Sequence, residues 1–400
     1  LIPNFFFIGG IKVMKKSITK ILFVAVSTCL LSGVVSCGST IDGDKVTYKV
    51  AMITDYGDIT DQSFNQATYE GCKEWCDTNK IDFTYKKPAS NTTAARVESV
   101  DAAIEDGYNV IVMPGYAFAG TIEETASVNP DVKFIALDVA RGDLLEAHYG
   151  KNYNYDPDDA QWAGYQLPSN VYCAIYQEEL CGYMAGYAAV KEGYTKLAFL
   201  GGMAVPAVVR YGYGFVQGAN AAAAGSAIEI IHGYGNQFYG DADIKARTDT
   251  WFAAGTEVVF ACGGGIYTSA CESAQAVGGK IIGVDVDQSY NINKTYGAGM
   301  CITSAMKGLA PSVKDKLENV INNNKWESKI ETLGLISGTD VDSNYVQLPT
   351  ASWSMTKFTI NDYKALVAKM FSKEITVSNK TTEAPTVAAT TKVTYQGNIK

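Results

Sequence analysis

The sequence predicts a parallel α/β protein built as two similar lobes, and three observations lead there. Eight short apolar runs recur along the chain: YKVAMIT (48–54), VIVMPG (110–115), VKFIALD (132–138), KLAFLGG (196–202), IEIIHGY (228–234), EVVFACGG (257–264), KIIGVD (280–285) and GMCITSA (299–305). They are continuously hydrophobic rather than alternating, as strands covered by helices on both faces must be. Between them lie stretches such as TAARVESVDAAIEDG and QEELCGYMAGYAAVKEG, with helical spacing and a terminal glycine. Regular alternation of the two gives a parallel sheet, and a second series restarting near residue 196 repeats the rhythm of the first.

The ends have a different character. Met14 reads as the natural start, with residues 1–13 as upstream sequence. From Met14 a basic segment (Lys15, Lys16, Lys20) leads into ILFVAVSTCLLSGVV, and the run closes on VVSC. That order describes a signal peptide over 14–36. The apolar run falls short of the ~20 residues that cross a bilayer. Its ending resembles a bacterial lipobox, which makes Cys37 an acylated anchor to the membrane, followed by a linker to residue 47. The expected division is then 48–170 plus 288–335 for the first lobe and 171–287 plus 336–377 for the second. The Thr-rich stretch 378–400 reads as a poorly ordered tail with a short strand at KVTYQG.

Composition narrows the partners. The formal net charge is −9, and the first 36 residues hold four lysines and no acids, so the remainder stands at −13. An acidic surface argues against nucleic acid, whose phosphates need a basic footprint. Beyond Cys29 and Cys37 seven cysteines remain, an odd number with no C-x-x-C, and they read as buried free thiols. Cys72 and Cys76 sit one helical turn apart, but with only His148 and His232 in the chain no metal site is expected.

In open parallel sheets ligands bind beyond the carboxyl ends of the strands. At those ends stand Asp55, Gly115–Tyr116, Asp138, Gly201–Gly202, Gly263–Gly265, Asp285 and Asp287. Just after the first strand, DQSFNQ fits a capping box, with Ser63 as helix N-cap and Gln66 reaching back to it. Phe64 then becomes the first helical residue, a rigid ring at the crevice rim able to stack on a flat ligand for ~1–3 kcal/mol. PAVVRYGYGF (206–215) offers a second ring, since Tyr211, Tyr213 and Phe215 cannot all be core. Three aspartates, two rings and glycine turns suit a neutral, hydroxyl-rich molecule and repel a phosphate. Lys307 would offset one carboxylate.

Other motifs fail. SAMK (304–307) matches S-x-x-K, but neither S-D-N nor K-T-G follows. No Walker A, H-E-x-x-H or G-x-S-x-G occurs, and no cofactor is indicated. Paired carboxylates able to cleave a glycosidic bond keep an exported nucleoside hydrolase or glycosidase as the rival reading. A sensory or surface receptor of the same fold is a second rival.

Taken in order, MITDYGDITDQSFNQATYEG, VKFIALD, EELCGYMAGYAA, LAFLGGMAVPAVVRYGYGFVQGA, IIGVDVDQ and CITSAMKG resemble the basic membrane lipoprotein (PnrA-like) family over residues 48 to 375. The D-x-S-F-N and G-V-D-x-D-Q elements are its most specific parts. The resemblance implies a type I periplasmic-binding-protein fold, two doubly wound lobes on a hinge that close over a ligand. It implies a purine nucleoside (inosine, guanosine or adenosine) as that ligand, and ABC permease and ATPase subunits as partners at the extracytoplasmic face of the membrane. Carried over by position, Phe64 and Tyr211 sandwich the base, and Asp138 binds its edge with Asp55 nearby. Ser63, Asp285, Lys307 and a glycine of the 263–265 turn, taken as Gly263, hold the ribose, and Asn65 completes the D-x-S-F-N element. Tyr211 replaces the phenylalanine usual in relatives, so its hydroxyl has to be accommodated.

Overall fold

The computed structural model describes residues 46–399. The expected signal peptide, Cys37 and nearly all of the linker lie outside the described residues.

In chain order the first lobe is laid down as β1 (Lys49–Ile53), α1 (Phe64–Asn79), β2 (Asp82–Lys86), α2 (Thr93–Glu105), β3 (Val110–Pro114), α3 (Ala119–Thr125), β4 (Lys133–Leu137), α4 (Arg141–Tyr149) and β5 (Val171–Tyr176). The chain then crosses to the second lobe, which holds α5 (Glu178–Glu192), β6 (Lys196–Gly201), α6 (Pro206–Ala223), β7 (Ile228–Tyr234), α7 (Ala242–Ala253), β8 (Val258–Cys262), α8 (Tyr267–Val277), β9 (Lys280–Asp285), α9 (Ser289–Tyr296) and β10 (Cys301–Lys307). It returns with α10 (Leu309–Leu317) and β11 (Lys329–Leu333), and crosses a third time to β12 (Val346–Gln347), α11 (Ile360–Phe371) and β13 (Thr391–Asn398).

The first sheet runs β11-β5-β4-β3-β1-β2 with every pair parallel. The second runs β12-β10-β9-β8-β6-β7-β13 and is parallel except for β12. All five residues of β3 and of β8 are buried, which is why their sequences show no polar alternation. Helices α5 and α6 pack backbone to backbone. A Cβ on Gly186 would stand 2.9 Å from the Phe215 carbonyl carbon, and one on Gly218 2.7 Å from that of Tyr183, so both helices need glycine at this crossing.

Three expectations are corrected. Residues 171–176 belong to the first lobe as β5, because VYCAIY pairs with β4. Residues 288–307 belong to the second, because β10 pairs with β9. The tail carries the expected strand at KVTYQG, but docked and not loose: β13 pairs in parallel along β7, and Tyr395 packs on His232 with ring centroids 5.1 Å apart. Asn220 Oδ1 accepts from Ala388 N and Thr391 Oγ1, pinning the approach to that strand. Its Thr-rich composition suits an edge strand, which presents one face to solvent. All seven described cysteines are buried with free thiols.

Candidate functional site

A cavity of about 390 Å³ lies between the carboxyl ends of the two sheets. That is within the ~300–1,000 Å³ usual for small-molecule sites. Asp55, Phe64, Asn65, Asp138, Tyr211, Gly263, Asp285 and Lys307 all line it. Of the expected ligand-binding residues only Ser63 does not.

The wall on the first lobe is built by the turn before α1. Phe64 is the first residue of that helix, as expected, but the cap is not Ser63 with Gln66. Asp61 caps it: Oδ1 accepts from Ser63 N (2.8 Å) and Gln66 N (3.1 Å), and Oδ2 accepts from Asn65 N (3.0 Å). A carboxylate two residues upstream reaches several orphan N–H groups at once, so it displaces the weaker hydroxyl cap. Ser63, fully buried, is freed to donate from Oγ to Asp285 Oδ2 at 2.5 Å. That bond ties it to a carboxylate of the other lobe. Asp55 Oδ1 accepts from Tyr56 N, Gly57 N and Asn65 Nδ2, which fixes the turn, and Asn65 Oδ1 is buried without a protein partner.

Two cavity carboxylates sit on left-handed backbone at strand ends, Asp138 at φ 59° and Asp285 at φ 64°. Aspartate tolerates this better than most residues, and such strain concentrates at binding sites. Gly263 has φ 151°, and a Cβ there would meet Phe238 Cδ1 at 2.9 Å, so the turn demands glycine. Asp287 turns away to accept from Ser289 N and takes no part in the cavity wall.

Beneath the cavity lies a buried charge cluster. Lys307, the last residue of β10, is no surface lysine: its Nζ meets Asp138 Oδ2 at 2.5 Å and Glu178 Oε1 at 3.3 Å. Glu178 also accepts from Arg210 Nε at 2.6 Å and is fully buried. The Lys307 ammonium lies 5.0, 5.4 and 5.5 Å from the ring centroids of Phe64, Tyr176 and Tyr211. Burial alone would push Lys307 below its ordinary value, but Asp138, Glu178 and Asp285 outweigh it and hold the cation charged. Burial raises Asp138 to about 6 against the pull of Lys307, with Glu178 adding to the rise. Burial raises Asp143, another wall residue, to about 6 as well.

Tyr211 is almost wholly buried, and its hydroxyl donates to Ala305 O at 3.3 Å, which is how the extra polar atom is accommodated. Phe215 is core, while Tyr213 is half-buried and packs toward His232. Ser304 of the S-x-x-K match is buried and accepts from Gln288 N, so it serves as a structural hydroxyl. Asp138 Oδ1 is buried with no protein partner, a free acceptor on the cavity wall. The cavity can therefore receive hydrogen-bond donors from a flat, uncharged ligand, and its carboxylates make it hostile to anions.

Four wall or support residues escape a reading of the sequence: Phe238, Arg210, Asp143 and Glu178. Glu178 follows β5, and a reader who misses VYCAIY as a strand never inspects its carboxyl end. Arg210 adjoins Tyr211 one residue away, a signal that was available. Phe238 and Asp143 lie in a loop and a helix with no mark of their own.

Comparison with known proteins places residues 48–381 in a match to the family model described as ABC transporter substrate-binding protein, PnrA-like. The chain is 27% identical over 322 residues to the ABC transporter nucleoside-binding protein BmpA of Lactococcus lactis, covering 76% of this chain and 84% of that one. It is 27% identical over 347 residues to Basic membrane protein B of Borreliella burgdorferi, covering 84% and 89%. Solved solute-binding proteins of ABC transporter systems share the fold. One from Aeropyrum pernix has TM-score 0.61 at 18% identity, covering 82% of this chain and 87% of its own. Another from Conexibacter woesei has TM-score 0.61 at 20% identity, covering 83% and 99%.

Proposed function

The chain belongs to the PnrA-like family of ABC transporter substrate-binding proteins, and we propose that this member captures a nucleoside, most plainly a purine nucleoside, between its lobes and delivers it to an importer. The observation that carries the reading is the cavity wall itself. A rim aromatic, Phe64, shares the wall with the unpartnered Asp138 Oδ1, with Lys307, and with Asp285. A base offers a face to the ring and ring N–H donors to Asp138. A ribose offers hydroxyls that can both donate to Asp285 and accept from Lys307. The Lactococcus lactis relative named for nucleoside binding supports the same ligand class.

Ligand contacting both lobes stabilises the closed form only, so it shifts an open–closed equilibrium toward the form a permease receives. The sequence around Cys37 supports attachment of this protein to the extracytoplasmic face of a membrane through lipid. Among the described residues no helix is long and apolar enough to cross a membrane.

The test is incubation of stripped protein with inosine, followed by chromatography of the products and by competition with guanosine, adenosine, ribose and a nucleotide. Capture without consumption, with nucleosides competing and the nucleotide not, is the expected result. Accumulation of free hypoxanthine and ribose would instead make the protein a hydrolase.

A further inference from the structure

The lobes also meet beside the cavity, through uncharged amides. On the first lobe Gln62 has left-handed backbone, φ 56°, held because Gln66 Oε1 accepts from both its N–H (3.0 Å) and its Nε2 (2.8 Å). On the second lobe Gln288 is fully buried just before α9. Its Oε1 accepts from Val284 N at 3.0 Å, which holds the side chain, and its backbone N–H donates to Ser304 Oγ at 3.1 Å, which holds the backbone. Only Nε2 is left, and it donates across the gap to the Gln62 carbonyl at 2.9 Å. Asn291, in the first turn of α9, donates from Nδ2 to Gln62 Oε1.

None of the three residues lines the cavity. We propose that Gln62, Gln288 and Asn291 form a latch between the lobes, made on closure, that lengthens the residence of bound ligand without touching it. Two features favour a latch over incidental contact. A strained residue is held in place by its own neighbour so that both its carbonyl and its side chain face the other lobe. The opposing Gln288 is pre-organised, so little side-chain entropy is lost when the bond forms. The contact is also independent of the Asp138–Lys307 pair, whose groups the ligand itself engages. These residues act through closure and are positioning residues; the inference rests on the reading that ligand is captured between the lobes.

The test compares dissociation and association rates of inosine for wild type, Asn291→Ala, Gln62→Ala and the double variant. Each single change should raise the dissociation rate about 3- to 10-fold, the effect of one net hydrogen bond, with the association rate unaltered. The melting temperature of ligand-free protein should not move with Asn291→Ala. The double variant should be no worse than the faster single one, because the two share a bond. Unchanged dissociation in both singles, or fully additive effects, would overturn the latch.

A ligand-independent arm separates this from the nucleoside reading. Protein carrying Gln62→Cys and Asn291→Cys, oxidised and digested, should yield a 62–291 crosslinked peptide by mass spectrometry. Its absence would overturn the latch whatever the ligand. A wild type that ignores inosine but whose double-cysteine form crosslinks would remove the nucleoside and leave the latch.

Discussion

Asp138 and Glu192 are both carboxylates at the edges of well-packed elements, and they are treated in opposite ways. Glu192, at the end of α5, accepts from Thr356 N, Thr356 Oγ1, Lys357 N and Phe358 N at 2.8–3.1 Å. Burial would raise its pKa, but these bonds prevail and hold it below the ordinary glutamate range. Asp138 has one oxygen on Lys307 and the other on nothing, and burial lifts it to about 6. The fully bonded carboxylate staples a loop of 356–358 to a helix. The half-bonded one keeps an acceptor free in a cavity, at a cost in stability that a ligand can offset.

The largest effect expected from breaking this contrast is at Lys307. Lys307→Met takes from Asp138 its one protein partner and leaves Glu178 with Arg210 alone and Asp285 with the Ser63 hydroxyl. Removing one partner of such a cluster costs about 3–5 kcal/mol. The melting temperature should drop clearly, and ligand affinity should fall about 10- to 100-fold in calorimetric titration, the loss of a hydrogen bond from a charged donor.

Asp138→Asn keeps its one acceptor oxygen for Lys307 and puts an NH2 donor where the free acceptor stood, and Lys307 still has Glu178 at 3.3 Å. Affinity should fall about 10- to 100-fold, the loss of a hydrogen bond to a charged group, while melting moves little.

Acidity gives a smaller and reversible version of the same change. Asp138 in the folded protein takes up a proton near pH 6, above the ~4 of an unfolded aspartate. Its contribution to stability therefore grows as pH falls from about 6 to 4, while its ability to accept from ligand is lost. Affinity should weaken several-fold between pH 7 and 5. Glu192 has the reverse sign: its contribution is complete above its ordinary ~4.3 and fades as pH falls through its depressed folded value.

Glu192→Gln weakens the fully bonded carboxylate instead. It should lower stability by about 1 kcal/mol, discounted for the solvent around it, and melting by about 2 °C, with ligand affinity unchanged.

Much of this was legible in the chain and some was not. Strands buried on both faces announce themselves, and eight of the longer ones stand where continuous apolar runs predict them. β2 (DFTYK) and β11 (KIETL) are edge strands with polar faces, so nothing in their composition separates them from loops. Missing β5 moved the first crossing between lobes and hid Glu178. Asp138, Asp285 and Gly263 are legible as residues of the cavity wall because strand ends in parallel sheets are a place as well as a pattern. The cap of α1 is not legible: Asp61 competes with Ser63 for the same backbone N–H groups, and local sequence does not say which oxygen wins. Pairings such as Gln62 with Gln288, 226 residues apart, belong to tertiary structure alone.

On the proposed function, the unpartnered Asp138 Oδ1 is the acceptor that a nucleoside fills. Calorimetric titration of inosine into ligand-stripped wild type and Asp138→Asn, with melting curves of both in the absence of ligand, tests it most directly. A saturable heat with one site in wild type, at least ~10-fold weaker in the variant, with closely similar melting temperatures is the expected result. Equal affinities, or a wild type that is folded and stripped yet gives no heat, would contradict it.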